Sequence, residues 1–378
     1  MLVLSIETSC DETSLSILES DSENNVDFLK YLNSFTVKSS VISSQIKIHL
    51  KYGGVVPEIG ARQHAEHIHL LFFKLLRKIN PTNFENNSLN SKDFELLKKL
   101  DYIFVTTEPG LVSALRVGRE FAKTLNFFIQ EKLGKTIEVK TVNHLDGHLA
   151  SSFYNKKVDS GIFPHLHLIV SGGNTQILFL ESWKNKKNLG QTLDDATGEC
   201  LDKVGRMLGL PYPGGYNLAK IAKLEENNYF DFPISLAKDK TLNFSFSGLK
   251  TAVRYFIEKQ KIDNFHFEKP LSDFEFEELQ SSGNIFENPK LEFIYKASVS
   301  AQTVVVQQLF NKLKLAISQY NPSSLGISGG VSANLLLRKK LSSLNVKLLF
   351  PDLDLTGDNA VMIALAGLAN LETLKNNS

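Results

Sequence analysis

His144 and His148 lie four residues apart in the run NHLDGHL at 143–149, and on a helix that spacing sets two imidazoles on one face about 6 Å apart along the axis. Such a pair can clamp one metal ion. With 9 histidines in 378 residues, an H-x-x-x-H pair arises by chance roughly 0.2 times per chain, so spacing alone leaves two surface or capping histidines as the alternative. Asp358, followed by Asn359 in LTGDNAVMIALAG, stands where a polar loop becomes an apolar helix. Aspartate is a good helix cap, which is its plain reading; the sharper one makes it the carboxylate that joins the histidine pair. Two imidazoles and a carboxylate with open positions would suit zinc or iron and leave room for a substrate oxygen. A zincin peptidase requires H-E-x-x-H, and Leu145 occupies the place of that glutamate, so that chemistry is disfavoured. A second cluster, His64, His67 and His69 in ARQHAEHIH, has no carboxylate or cysteine to complete a ligand set and reads as hydrogen-bonded or solvated histidines.

Glycines mark a second kind of site. Gly-Gly doublets begin at 53, 172, 214 and 329, where 23 glycines placed at random would give roughly 1.4. Two of them, in Ser171-Gly172-Gly173-Asn174-Thr175 and Ser328-Gly329-Gly330-Val331-Ser332, directly follow apolar runs. A missing Cβ lets a ligand approach the backbone, and successive N–H groups can hold a phosphate; a tight turn is the alternative. Neither loop is a Walker A or a Rossmann fingerprint. Asp11, Glu12, Asp202 and Asn334 are polar residues beside these loops or the first hairpin, and each could be a solvated loop residue. Lys250 and Arg254, with Lys203 and Arg206, could touch RNA phosphates, although a solvated helix face is the preferred account.

The elements that must position these residues repeat. An apolar strand at 2–6, a polar turn (ETSCDET) and an alternating strand (SLSILES) are echoed at 166–182 by LHLIV, SGGNT and QILFLES. Two such hairpins suggest a duplicated α/β fold with a ligand between the copies. Helices are expected over 61–78, 114–133, 291–319, from 333 and over 358–374, and strands at 102–107, SLGIS and VKLLF. Residues 262–290, acidic and without a clean period, read as a surface insertion. The lobes are expected at 1–125 with 355–378, and at 126–354.

A chain of 378 residues suggests two domains. At 42% hydrophobic and 22% charged it is an ordinary globular sequence. Forty-two Lys and Arg against 41 Asp and Glu leave a net charge of +1, so an RNA partner must be held by a local basic patch or another subunit. Two cysteines, Cys10 and Cys200, supply neither a disulfide framework nor a thiolate pair for zinc. The first strand starts with no presequence ahead of it, and the longest apolar run, Val361–Leu368, falls far short of the roughly 20 residues that span a bilayer; a cytoplasmic protein is expected.

Taken in order, IETSCDET (6–13), GGVVPE (53–58), NHLDGHL (143–149), SGGNTQ (171–176), DDATGECLDKVGRMLGLPYPGG (194–215), FSFSGLKTAV (244–253), SGGVSAN (328–334) and GDNAVMIA (357–364) resemble the tRNA N6-adenosine threonylcarbamoyltransferase family in its bacterial TsaD form, once called the glycoprotease or O-sialoglycoprotein endopeptidase family. The resemblance runs from Leu2 to about Leu368. It implies an α/β fold shared with actin, sugar kinases and heat-shock ATPases (ASKHA), two duplicated lobes with the ligand in the cleft. It implies one divalent metal ion, Fe(II) or zinc, on His144, His148 and Asp358; a threonylcarbamoyl-AMP donor bound by Ile169, Val170, Ser171, Gly172, Gly173, Asp202, Gly215 and Asn334; and catalytic Asp11 and Glu12 at the phosphate-side hairpin. The implied reaction moves threonylcarbamoyl onto N6 of the adenosine next to the anticodon, in tRNAs that read codons beginning with A, with AMP leaving. The implied partners are tRNA, a catalytically silent paralogue and a small ATPase. An ATPase of the same fold would leave the His144, His148 and Asp358 set unused, and a silent scaffold would lack the histidine pair. Three departures stand out: Asn174 where the family often has His, Tyr216 where a Pro is usual, and an end at Ser378 without the basic, Pro- and Trp-containing tail of many relatives, whose loss would weaken tRNA docking.

Overall fold

The computed structural model describes residues 1–20, 28–81, 88–156, 161–259, 270–281 and 285–375. It contains ten strands, β1 Leu2–Glu7, β2 Glu12–Glu19, β3 Thr36–Ser44, β4 Tyr102–Glu108, β5 Glu138–Asn143, β6 His165–Val170, β7 Thr175–Leu180, β8 Lys186–Gln191, β9 Ser324–Ser328 and β10 Lys347–Leu349. The helices are α1 Phe28–Asn33, α2 Ile46–His49, α3 Pro57–Ile79, α4 Ser91–Lys99, α5 Val112–Leu133, α6 His144–Ser151, α7 Thr197–Met207, α8 Gly214–Ala222, α9 Ser247–Lys259, α10 Asp273–Ser281, α11 Pro289–Tyr320, α12 Leu335–Leu341 and α13 Ala360–Lys375. The strands form two sheets, ordered β3-β2-β1-β4-β5 and β10-β9-β6-β7-β8.

Read from its central strand outward, the second sheet repeats the first. β1 and β6 each pair antiparallel with the strand that follows them and parallel with a strand reached by a helical crossover. The hairpin echo in the sequence is therefore a true duplication of topology. The antiparallel registers Ile6↔Leu15 and Val170↔Thr175 place the polar turns Thr8–Asp11 and Ser171–Asn174 at equivalent hairpin tips.

The chain divides into two units, Met1–Ser160 with Pro351–Ser378, and Gly161–Phe350. The expected lobe limits of 125/126 and 354/355 thus move to 160/161 and 350/351. The first shift has a simple cause: β5 pairs in parallel with β4 and completes the first sheet, and α6 packs on α13 so tightly that a Cβ on Gly147 would lie 2.9 Å from Ile363 Cδ1. Each unit has its own apolar core, one centred on Leu4, Ile6, Leu75 and Ile103 and the other on Leu168, Val204, Phe244 and Leu309. α13 is buried at every position from Ala360 to Ala369, as a helix segment that is apolar all round must be.

Parts of the acidic stretch, 262–269 and 282–284, lie outside the described residues. The remainder corrects the expectation of an aperiodic insertion: 273–281 form α10, whose Leu279 is buried and whose Glu275 pairs with Lys290 at 2.7 Å, while 289–290 already open α11. No described helix is long and apolar enough to cross a membrane.

Candidate active site

In the first sheet β1, β4 and β5 run parallel, so their carboxyl ends carry Glu7, Thr106 and Asn143 to one edge, the usual place for a site in such a sheet. Asn143 caps α6, its Oδ1 accepting from Leu145 N at 2.9 Å and Asp146 N at 3.4 Å. That cap fixes His144 and His148 as neighbours on one helix face, with ring centroids 4.7 Å apart. Between them Gly147 leaves room for α13.

The start of α13 decides the role of Asp358. Asn359, not Asp358, supplies the cap: its Oδ1 accepts from Met362 N at 2.9 Å. Ala360 is tied down on both sides, donating to Ser14 Oγ at 2.9 Å and accepting from Ser5 Oγ at 2.6 Å. Relieved of capping, the Asp358 carboxylate lies 3.2 Å from His148 Nε2 and 3.6 Å from His144 Nε2. One ligand atom from each of the three residues falls within 4.8 Å of the others.

The donor set fits a metal ion. His148 is fully buried, yet neither ring nitrogen has a hydrogen-bond partner among the described residues; its approach to Asp358 is an ion-pair distance without hydrogen-bond geometry. A buried imidazole left in this state calls for a partner of another kind. Burial opposes charge on His144, but the Asp358 and Glu7 carboxylates outweigh it and raise its pKa to about 9. Burial likewise works against the Asp358 carboxylate, and the two histidines more than offset it, holding its pKa down at about 2. The pocket thus favours positive charge beside fixed carboxylates.

Glu7, which sequence reasoning did not single out, is fully buried behind His144. Its Oε2 lies 3.1 Å from His144 Nδ1 and accepts from Thr106 Oγ1 at 2.6 Å, and its Oε1 accepts from Ser9 N at 2.5 Å. The only signal available in the sequence was a carboxylate at the carboxyl end of an apolar strand.

Asp11 and Glu12 sit at the first hairpin tip. Burial and the neighbouring Asp11 push the Glu12 carboxyl well above the usual range, although it accepts a hydrogen bond from Ser44 Oγ at 3.1 Å. The tip is braced from α3. His64 Nε2 donates to Cys10 O at 2.9 Å, so Nδ1 must accept from Thr13 Oγ1 at 2.7 Å, and burial lowers the pKa of the ring accordingly. His67 is half-buried and His69 exposed.

In the second unit the glycine loops converge. Gly329, at φ +90°, lies so close that a Cβ would sit 2.4 Å from Val170 O; a Cβ on Gly198 at the start of α7 would sit 2.7 Å from Ser171 O. Gly172, Gly173 and Gly330 face open space, with nothing within 4 Å of their absent Cβ positions. Asp202 Oδ1 accepts from Gly215 N at 2.7 Å, joining α7 to α8. Ile169 and Val170 are buried strand residues whose side chains belong to the interior. Asn334 is largely committed elsewhere, capping α12 through Leu337 N at 2.9 Å and donating to Gln302 Oε1 at 2.7 Å. Of the four basic residues, Lys203 and Lys250 both pair with Asp195, at 2.9 and 3.0 Å, and Arg254 pairs with Glu258 at 3.0 Å. Tyr216 is exposed.

Two α/β units of one strand order define the ASKHA class. HypF from T. kodakarensis is similar over 98% of this chain and 48% of its own, with a TM-score of 0.52 at 13% identity, a likeness of fold. In sequence the chain matches the profile of the family "TsaD: tRNA N6-adenosine threonylcarbamoyltransferase" over residues 36–365. The enzyme of that name from Thermosipho africanus is 39% identical over 376 residues, 97% of this chain and 93% of the relative, and that from Mycoplasmopsis synoviae is 36% identical over 376 residues, 98% and 99% respectively. The chain belongs to the tRNA N6-adenosine threonylcarbamoyltransferase family. It is an acyltransferase that modifies tRNA.

Proposed function

We propose that the acyl donor is threonylcarbamoyl-AMP, that the acceptor is N6 of the adenosine next to the anticodon in tRNAs reading codons that begin with A, and that His144, His148 and Asp358 hold one divalent ion, zinc or ferrous iron. The observation that carries the metal reading is the buried His148, whose two ring nitrogens have no hydrogen-bond partner among the described residues while its Nε2 lies 3.2 Å from Asp358. When bound, a divalent ion supplies Lewis acidity and a template for phosphate and carbamoyl oxygens.

The rest of the chemistry falls to the chain. N6 attacks the carbamoyl carbon; the C–N bond forms, the C–O bond to the phosphate breaks and AMP departs. A proton must leave N6. Glu12, with its carboxyl pushed upward by burial and Asp11, is the better of the two hairpin acids to receive it, because a more basic carboxylate takes a proton more readily. The exposed backbones of Gly172, Gly173 and Gly330 suit the AMP portion, while the Asp202–Gly215 bond supports the ribose side. Ile169 and Val170 contribute only main chain, and Asn334 its remaining amide hydrogen. A silent paralogue and a small ATPase are the proposed partners that complete the tRNA surface, consistent with a net charge of +1, and the cytoplasm is the proposed compartment.

The test is transfer of labelled threonylcarbamoyl from its adenylate to unmodified tRNA, with the paralogue and ATPase added and metal content measured in parallel. Wild type should modify tRNA, and the His144→Ala/His148→Ala variant should lose both metal and transfer. Equal transfer by the two proteins would sink the metal assignment. ATP hydrolysis by the isolated chain with no transfer would favour an ATPase.

A further inference from the structure

We infer that Glu7 is a positioning residue that holds His144 as the Nδ1–H tautomer and thereby sets the affinity of the site for a divalent ion. The inference rests on the metal reading above and on geometry alone. An ionised carboxylate only accepts hydrogen bonds, so the 3.1 Å contact between Glu7 Oε2 and His144 Nδ1 requires the proton on Nδ1. Nε2, the nitrogen 3.6 Å from Asp358, is then the one left to turn to a metal ion. Glu7 is itself pinned, fully buried, by Thr106 Oγ1 and Ser9 N. Among the described residues His148 has no comparable brace, and His144 Nδ1 has the Ser9 hydroxyl at 3.1 Å beside Glu7, so Glu7 is the charged group that orients a ring in this site. Outer carboxylates of this kind orient a ligating imidazole and raise its basicity, and their removal typically weakens metal binding by about 10- to 100-fold.

Glu7→Gln separates this role from packing, since it replaces one oxygen by NH2 at nearly constant shape. Ser9 N is a main-chain donor 2.5 Å from Oε1, so the amide oxygen must face it and the NH2 must face Thr106 and His144. The Thr106 hydroxyl has an alternative acceptor in Ile6 O at 3.3 Å. His144 Nδ1 then faces an amide donor in place of a carboxylate and keeps the Ser9 hydroxyl, 3.1 Å away, as acceptor for its proton, so the ring loses its charged brace and is held less firmly.

The experiment measures Zn(II) affinity of the full chain by competition with a chromophoric chelator. It also records the Co(II) absorption spectrum and the nitrogen chemical shifts of ¹⁵N-labelled histidine in the zinc form. Glu7→Gln should bind zinc about 10- to 100-fold more weakly with an altered Co(II) spectrum. Glu7→Asp should recover part of the loss, and wild type should show a protonated Nδ1 with a metal-bound Nε2 on His144. Far-UV circular dichroism of the metal-free proteins checks folding; should Glu7→Gln not fold, Thr106→Val, which removes one anchor of Glu7, should give a smaller loss in the same direction. Wild-type affinity and spectrum in Glu7→Gln, or in Thr106→Val where that variant carries the test, would overturn the inference. Failure of wild type itself to take up one zinc would overturn the metal reading and the inference with it.

Discussion

Gly147→Ala tests whether the proposed metal site depends on the close approach of α6 to α13. The added Cβ would lie 2.9 Å from Ile363 Cδ1 and 3.0 Å from Met362 Cγ, with the Met362 main chain at 3.5 Å. Carbon atoms at rest stand about 3.5–4.0 Å apart, so the helices must separate by roughly half an ångström or the two side chains must leave their rotamers. Both are fully buried, which denies them an easy retreat. Overpacking of this kind costs about 1–3 kcal/mol, which in a chain of this size lowers the melting temperature by roughly 1–4 °C. The effect on function should be disproportionate. His144 and His148 flank the substituted residue on α6, whereas Asp358 immediately precedes the cap of α13, so a shift between the helices changes the very distances, 3.2 and 3.6 Å, that define the site. A misplacement approaching 1 Å can cost about 100-fold in rate. Thermal unfolding and zinc affinity measured on the same preparations would check this; a variant with wild-type melting temperature and wild-type zinc affinity would refute the claim that glycine is required for the approach.

Asn359→Ala should cost about 1–2 kcal/mol through loss of the cap on Met362 N and should also weaken zinc binding by releasing Asp358, both readable by urea unfolding and chelator competition. In Gly215→Ala a Cβ would meet Leu201 Cβ at 2.9 Å beside Asp202, so the KM for the adenylate donor should rise while zinc affinity stays unchanged. Burial lowers the pKa of His165 from 6.5 to about 3, so the unfolded chain binds the extra proton between those values. This group's contribution to stability is then intact above about pH 6.5 and is lost as pH falls toward 3, reaching about 2 kcal/mol by pH 5. Urea midpoints at pH 7 and pH 5 should therefore diverge more in wild type than in His165→Gln, and equal divergence would exclude His165 as the cause. The hydrogen bonds explain the sign: Ser324 Oγ donates to Ile162 O and so accepts from His165 Nδ1, leaving His165 Nε2 to accept from His167 Nδ1, an arrangement with no place for another proton.

What the sequence made legible was what burial imprints on it. β1 and β6 are buried at every position and read as apolar runs, and the long helices α3, α5 and α11 show their cores by spacing. β3, β5 and β8 expose much of their length, and a sequence such as KKNLGQ carries no alternating apolar face to find. At the site, the His144–His148 spacing and Asp358 were visible as types, but whether Asp358 or Asn359 capped α13 depended on which side chain reached Met362 N. That choice is made by Ser5 and Ser14, from the far end of the chain, holding Ala360. Glu7 was hidden for a similar reason, since in ETSCDET a buried carboxylate is spelled like the first residue of a polar turn.

Whether the ion serves the fold or the reaction follows from how Asp358 is delivered. The chain returns to the first unit only after the whole of the second, so a metal joining His144 and His148 to Asp358 would close a very long loop and could be supposed to hold α13 in place. The burial of α13 argues otherwise: its apolar side chains from Val361 to Ala369 are inaccessible on every face, and transfer of that surface from water, at about 25 cal/mol per Å², anchors the helix without help. The three proposed protein ligands would also leave coordination positions open, which is the pattern of catalytic and not of structural sites. Chelation should therefore abolish threonylcarbamoyl transfer while lowering the melting temperature by only a few degrees, the amount expected when a ligand bound to the native state alone is withdrawn. A metal-free protein that loses its far-UV circular dichroism at 25 °C would show instead that the ion is part of the fold.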